Sequence, residues 1–510
     1  MEQSYARHGG KSPLRSLIRS TAASLESRVD EWGYAPTSLS GAYSGMFTRD
    51  ASIQAIAMLA IGRTDLARRI LDYTDLFADD RVAHVCPPPR VVSARPGDIQ
   101  PWVDPSTFLE VAGVKAVAAQ SFRTGAGPSP RRILVALSGN LRAGMAIARL
   151  HRDGASIPLA APLTAASTTG WLALELPESL ILEPEAEYRL ELRTEGALGE
   201  VRWGASRTPG ATDRPAEQLR LNLGGWVTTG VHASLTLDEE PAALAPGTAL
   251  SALSTTGAVR TVQPDADAMN ALAHARTAAL DGREIDGVIR RLLAAVDDRD
   301  DATGLIINPN LEHSRRSHYL TTIDLVTNVF ASQAFHELSA LASRPDLRRA
   351  AREQADALAA AIHEHLVVDA GFGSTYVELL WLPLGRRRID GFSWVSLAPV
   401  AAGWFATDDG ILRRTVERYR RVASSDWDGL EMLNVQDDDD SVIGKGLAWE
   451  IAYLRTTGDH ERLERIARFL VDRSPGSQFA EQYNRTGTND LGNQEHASWF
   501  VWATADHDHP

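Results

Sequence analysis

Apolar residues recur at helical spacing through the first 78 positions. From Leu14, the run LRSLIRSTAASLESRV sets Leu14, Leu17, Ile18, Leu25 and Val29 close to one stripe, the pattern of a helix with one buried face. A second helix is expected from Asp50 (DASIQAIAMLAIG), with Thr48 before it as a cap and Gly62 near its end. A third follows from Asp65 (DLARRILDYTDLF). Near residue 84 the period changes. Pro87, Pro88 and Pro89 bar a helix. The runs RRILVALSG, TGWLALELP, AEYRLELR and GWVTTGVHASLTLD are short and alternating, and Gly, Pro, Ser and Asp separate them, as strands require. PSTFLEVAG, from Pro105, fits helix or strand. Residues 84–245 therefore read as a β-sandwich-like domain, whose two inner faces the alternation supplies.

After Ala242 the Ala/Ser/Thr/Gly-rich run ALAPGTALSALSTTG reads as a linker. Helical patterns then resume near Asp265, Glu284, His318, Asp346, Ser393, Asp409, Ile443, His460 and Asn489. With the first three they make about twelve, mostly with long loops on one side and short turns on the other. Such a series predicts a mainly α chain: two concentric rings, an (α/α)6 toroid formed by residues 1–83 and 246–510, with the sandwich inserted after the third helix. An irregular helical domain is the alternative. In the toroid, binding groups belong on the long loops at one end.

Composition narrows the function. Lys plus Arg is 52 and Asp plus Glu is 66, a formal net charge of −14. That balance argues against a nucleic-acid partner, which needs clustered cations. Arg386–Arg388 and Arg315–Arg316 are too short to reverse it. Cys86 is the single cysteine, so an internal disulfide and a cysteine metal cluster are excluded. No stretch approaches the roughly 20 apolar residues of a membrane span. The start, MEQSYARHGGKSPLRSLIRS, lacks the continuous apolar run of a secretory signal. A cytoplasmic protein without a membrane partner is expected. The oligomeric state is not legible.

Four segments carry polar chemistry. In GAYSGMFTRDAS, Arg49 beside Asp50 offers a donor fork next to an acceptor pair, which suits adjacent sugar hydroxyls and equally suits a capping acid with a structural Arg. INPNLEHSRRSHYLTT brings Glu312 and His313 before a helix, while GFGSTYVELLW and IDGFSW add Glu378 and Trp394. SSDWDGLEMLNVQDDDDSVIGKGLAWE contains Asp426, Trp427, Asp428 and Glu431, then Asp437 through Asp440. An indole face stacks on the apolar side of a sugar while carboxylates take its hydroxyls. Four consecutive acids can hold a hard cation, but such a run is more often a solvated loop, so neither metal nor cofactor is expected. SQFAEQYNRTGTNDLGNQEHASWFVWA supplies Glu481, Gln482, Tyr483, Asn484 and Arg485. Glu495 and Trp499 then share one face of the last helix. No Ser–His–Asp arrangement, nucleotide-binding Gly motif or H-E-x-x-H run is legible. Acids, indoles and amides together favour metal-free hydrolysis of an acetal. One carboxyl protonates the leaving oxygen, and a second activates water or attacks the ring.

Several of these segments resemble the glucoamylases. FTRDAS is similar to their W-T-R-D-S run before the second helix, and SQFAEQYNRTG to their A-E-Q-F/Y-N segment before the last. DDDDSVIGKGLAWEIAYL resembles the stretch before the eleventh helix. The resemblance implies an (α/α)6 glycoside hydrolase in which Arg49 and Asp50 hold the terminal sugar, Glu481 is the general base, and Asp440 lies on the substrate side with Trp449 packing behind. NLEHSRRSHYLTT stands where that family has W-E-E-x-x-G-x-x-F-F-T, which makes Glu312 the expected general acid with Glu378 and Asp428 in reserve; the Trp, the Gly and one Glu of that motif are absent. Gln482, Tyr483, Trp394, Trp427 and Asp428 complete the expected substrate contacts. The expected activity is exo-acting, inverting hydrolysis of a neutral glycoside or oligosaccharide. Another carbohydrate enzyme on this fold (a rhamnosidase, arabinofuranosidase, trehalase or phosphorylase) and a non-catalytic sugar-binding protein are the rivals.

Overall fold

The computed structural model describes residues 13–30, 33–39, 46–75, 84–85, 91–93, 111–112, 117–124, 129–152, 155–159, 163–164, 167–206, 220–222, 226–228, 232–233, 235–237, 249–253, 258–259, 263–311, 320–382, 385–389, 394–422, 425–433, 435–436 and 441–505. The chain divides into two units, one formed by Met1–Ala83 with Thr261–Pro510, the other by His84–Arg260.

In the first unit the described helices are α1 (Pro13–Arg28), α2 (Thr48–Ala60), α3 (Thr64–Asp75), α4 (Pro264–Asp281), α5 (Asp286–Ala295), α6 (Leu325–Leu341), α7 (Pro345–His365), α8 (Ala398–Ala402), α9 (Asp409–Val422), α10 (Gly444–Thr457), α11 (His460–Arg473) and α12 (Gln494–Thr504). Two kinds alternate. α2, α4, α6, α10 and α12 are buried on nearly every face. α3, α5, α7 and α11 bury one stripe, as in α7 with Leu347, Ala351, Ala355, Leu358 and Ile362. A helix apolar all round needs protein on every side. It finds it here because α2 packs on α4, α4 on α6, α6 on α8, α8 on α10, α10 on α12, and α12 returns to α2.

The helix ends follow local chemistry. Asp324 caps α6 by accepting from the Thr327 N–H at 2.7 Å, and Asn493 caps α12 by accepting from the His496 N–H at 3.0 Å. α4 starts at Pro264 and stops at Gly282, whose left-handed backbone lets its N–H reach the Ala278 carbonyl. Two expected starts move later. Near His318 the chain forms the strand Leu320–Asp324 before α6, and near Asn489 it forms Thr488–Leu491 before α12. Leu320–Asp324 pairs with Leu379–Trp381, distant in sequence, and Thr488–Leu491 pairs as a hairpin with Ala480–Asn484 just before it; the partner decides each strand, and a helical period does not reveal it.

The second unit is antiparallel. Its long strands Arg132–Arg152 and Glu187–Ser206 pair from Arg189 opposite His151 to Trp203 opposite Leu137, and Ser167–Glu175 pairs along Arg132–Asn140. Period-two burial brings Ile133, Val135, Leu137, Ala146, Ala148, Leu150, Leu190, Leu192 and Trp203 into one core. Trp203 is wholly buried there. The Ala/Ser/Thr run read as a linker instead contains the strand Ala249–Leu253, which pairs with Glu187–Ser206 and sets Ser251 opposite Trp203. Small residues leave composition neutral between linker and strand, and the available partner decides.

Candidate active site

The buried helices begin with charged residues, and those residues converge. Arg49, in the first turn of α2, sets its Nε 3.4 Å from Asp50 Oδ1 and its Nη1 3.3 Å from Asp265 Oδ2 at the start of α4. Asn308 Nδ2 donates to Asp265 Oδ1 at 3.2 Å and to Thr327 Oγ1 at 3.1 Å. The Thr327 hydroxyl donates in turn to Asp324 Oδ2 at 2.7 Å. Two more charges act on Asp50: Lys445 in the first turn of α10 sets its Nζ 3.3 Å from Glu495 Oε1 at the start of α12. Trp499 Nε1 donates to the same oxygen at 3.4 Å, and His496 Nε2 stands 3.5 Å from Oε2. The Lys445 ammonium also lies 5.1 Å above the Trp394 ring. Four carboxyl groups and two cations thus meet among the starts of α2, α4, α6, α10 and α12, all buried or nearly so.

The acids divide into two protonation classes. Burial pushes Asp50 up to about 7, and Glu495 adds to the push while Arg49 and Lys445 oppose it. Burial likewise pushes Asp324 up to about 7, with Asp265 adding to it against hydrogen bonds from Thr327 and Asn308. For Glu495 burial acts in the same sense, but Lys445, His496 and Arg49 overcome it and hold the carboxyl well below its usual range. Near neutrality the site therefore offers an ionised Glu495 beside two carboxyls, Asp50 and Asp324, that are still partly protonated. Divergent environments of this kind set acid and base roles apart.

Glu481 lies half-buried on the strand Ala480–Asn484, which pairs with Ser441–Ile443 just before α10. The Ala480 carbonyl accepts from His496 Nδ1 at 2.9 Å, so this strand is tied to the start of α12. Gln482 is buried opposite Ile443. Tyr483, expected among the substrate contacts, packs its ring 5.6 Å from Phe469 and bonds Ser474 Oγ and the Ala480 N–H through its hydroxyl, so it braces the strand. Trp394 is wholly buried, with Lys445 over its ring and Trp449 against it at 5.4 Å. Its indole supports a lysine where a sugar was expected.

The Asp426–Trp427–Asp428 cluster is a hairpin. Asp428 and Gly429 have φ of 52° and 83° between the paired strands Ser425–Trp427 and Leu430–Met432, the Asp-Gly turn that hairpins select. Asp426 Oδ1 accepts from the Gly429 N–H at 3.0 Å. Trp427 is buried against Phe469 with the Arg485 guanidinium 5.5 Å from its ring. Asp428 is exposed at the turn, so backbone geometry accounts for it. Glu312, Asp440 and the rest of the 437–440 acidic run lie outside the described residues. Glu378 is fully buried, and its carbonyl accepts from the Leu325 N–H at 2.9 Å.

The polar segments of the sequence do not single out Asp265, Asn308, Asp324 or Lys445, and they mark Glu495 only by its helix face. One signal would have found most of them: a charged residue at the start of a helix that is otherwise apolar all round, as in PDADAMNALAHA or GKGLAWEIAYL. Such a charge enters the core with the helix and must have partners there.

No known family profile matches this sequence, and no curated protein matches it. Among solved structures the chain is similar to a wild-type glycosidase at 12% identity, over 97% of this chain and 98% of that one, with a TM-score of 0.48. It is similar to a glycosidase variant in complex with glucose at 13% identity, over 97% and 98% of the two chains, with a TM-score of 0.46. It is also similar to the GH78 family rhamnosidase of Bacillus sp. GL1 at 14% identity, over 83% of this chain and 48% of that one, with a TM-score of 0.37.

Proposed function

We propose that this chain is a glycoside hydrolase built on an (α/α)6 toroid with an inserted β-sandwich, and that it releases a terminal sugar from a neutral glycoside with inversion. The closed succession of buried helices, α2 through α12 and back to α2, supports the toroid. One observation carries the activity: at the shared start of those helices, an ionised carboxylate and carboxyls raised to about 7 stand beside a guanidinium, an amide and indoles. This is the equipment that acetal hydrolysis needs.

In this reading Arg49 and Asp50 hold the hydroxyls of the terminal sugar. Glu481, half-exposed on the strand whose Ala480 carbonyl is bonded to His496 of α12, removes a proton from water as that water attacks the anomeric carbon. Glu312 protonates the glycosidic oxygen from the opposite side. Inversion requires the two carboxyls to stand roughly 6.5–9.5 Å apart, leaving room for the water. The acidic chain favours a neutral sugar over a polyuronide, since a polyanion is repelled at long range.

A panel of aryl glycosides and short oligosaccharides, followed by NMR for the first anomer released, tests the reading. Glu481→Gln should abolish turnover while sugar affinity survives. Full turnover in that variant removes the base assignment, and a wild-type protein inert on the whole panel removes the hydrolase. If Glu312→Gln retains its rate and Glu378→Gln loses it, the acid is Glu378.

A further inference from the structure

Lys445 occupies a costly position. It lies in the first turn of α10, where the helix dipole repels a cation, and its side chain is 9% exposed. A cation buried there needs compensation. Two groups supply it: Glu495 Oε1 at 3.3 Å and the Trp394 ring at 5.1 Å. Trp394 is fixed in turn against Trp449, and Trp449 against Trp499 at 5.1 Å. The indoles thus hold the ammonium against one carboxyl oxygen.

Among the described residues, the other charged groups that act on Glu495 come from α2 and α12, with one from α4 behind them. α2 contributes Arg49 and Asp50, with Asp265 behind Arg49. α12 itself contributes His496, whose Nδ1 donates to the Ala480 carbonyl so that Nε2 turns towards Glu495. Asp50 and Glu495 repel one another when both are ionised. The position of the Lys445 ammonium breaks their equivalence, because it bonds Glu495.

We propose that Lys445 is a positioning residue of this site: it holds Glu495 as the anion, so the proton that the Asp50–Glu495 pair retains rests on Asp50. A ligand then meets a fixed acceptor at Glu495 and a fixed hydroxyl donor at Asp50, a polarity that orients a polyol in one sense. This deepens the glycosidase reading in naming what the ligand meets, while the charge arrangement itself stands independently of it.

The test uses the full chain and reads the melting temperature against pH, with no need of a substrate. An opposite charge in contact lowers a carboxyl by about 1–3 pH units. Lys445→Met should therefore move the acid-side midpoint of that curve upward by about 1–3 pH units, and Lys445→Arg should leave it in place. In a Glu495→Gln background, Lys445→Met should produce no such movement. An unmoved midpoint in Lys445→Met, or an equal movement in the Glu495→Gln background, overturns the proposal. If Lys445→Met fails to fold, the double variant Lys445→Met/Glu495→Gln should fold, because the stranded anion is gone; a double variant that stays unfolded also overturns it. A wild-type protein inert on every glycoside overturns the hydrolase reading alone, since the melting curves still decide the role of Lys445.

Discussion

Gly444 opens α10 where the Ala480 backbone and the His496 ring come close to its own backbone. A Cβ built there stands 2.5 Å from the Ala480 carbonyl oxygen and 2.6 Å from His496 Nδ1. Ordinary contact begins at 3.4 Å, so Gly444→Ala must separate α10 from its neighbours by most of an ångström. Neither obstacle is the free end of a flexible side chain. The carbonyl belongs to a strand paired on one edge with Ser441–Ile443 and on the other with Thr488–Leu491, and the imidazole is buried and hydrogen-bonded to that carbonyl. Overpacking of this kind costs about 1–3 kcal/mol. The displaced groups carry Glu481 and Glu495, and a misplacement of about 1 Å lowers turnover by about 100-fold. Gly287 is the control, because it lies within α5 with nothing inside 4 Å of its Cβ position. Gly287→Ala should stabilise by about 0.5–1 kcal/mol through helix propensity and a less free unfolded chain. Urea unfolding of the two variants, with turnover measured alongside, decides the matter. If Gly444→Ala is as stable as wild type, the close approach does not constrain the site and the reasoning fails.

Burial holds the Asp324 proton up to about 7 against an ordinary value of 3.8, so the folded state keeps a proton that the unfolded chain has released. That contribution is fully present below about pH 4 and is lost as pH rises to about 7, up to about 4 kcal/mol in all. Asp324→Asn, which keeps the capping oxygen, should flatten this part of the melting curve; an unchanged slope counts against the assignment. Arg462 Nε donates to Glu450 Oε1 at 2.6 Å, and its Nη2 to the Glu431 carbonyl at 2.7 Å, which ties the 425–432 hairpin to α10 and α11. Arg462→Met removes the guanidinium from the buried Glu450 and should cost about 3–5 kcal/mol by urea unfolding, most of it recovered in Arg462→Met/Glu450→Met. A double variant no more stable than the single one rules out the ion pair as the cause.

The Asp426–Asp428 segment marks the limit of reading chemistry from residue types. Two acids around a tryptophan look like a sugar platform, yet the Asp-Gly step that follows is a hairpin turn with both residues at positive φ. Turn chemistry was legible in the same letters, and the local signal was the truer guide. Trp394 is the converse case. Nothing near it in sequence says that its ring faces a lysine from a helix 50 residues further on.

The sequence by itself determined the alternation of helices, the change to strands near residue 84 and the placing of Arg49 and Asp50 at the mouth of an apolar helix. These follow from periods of 3.6 and 2 and from capping, which act over a few neighbours. Only the tertiary structure decided which charges meet. Arg49 reaches Asp265 across 216 residues, and Lys445 reaches Glu495 across 50. The electrostatics of buried carboxyls depend on distances of a few ångströms and on exclusion of water, and both arise only when α12 packs back against α2.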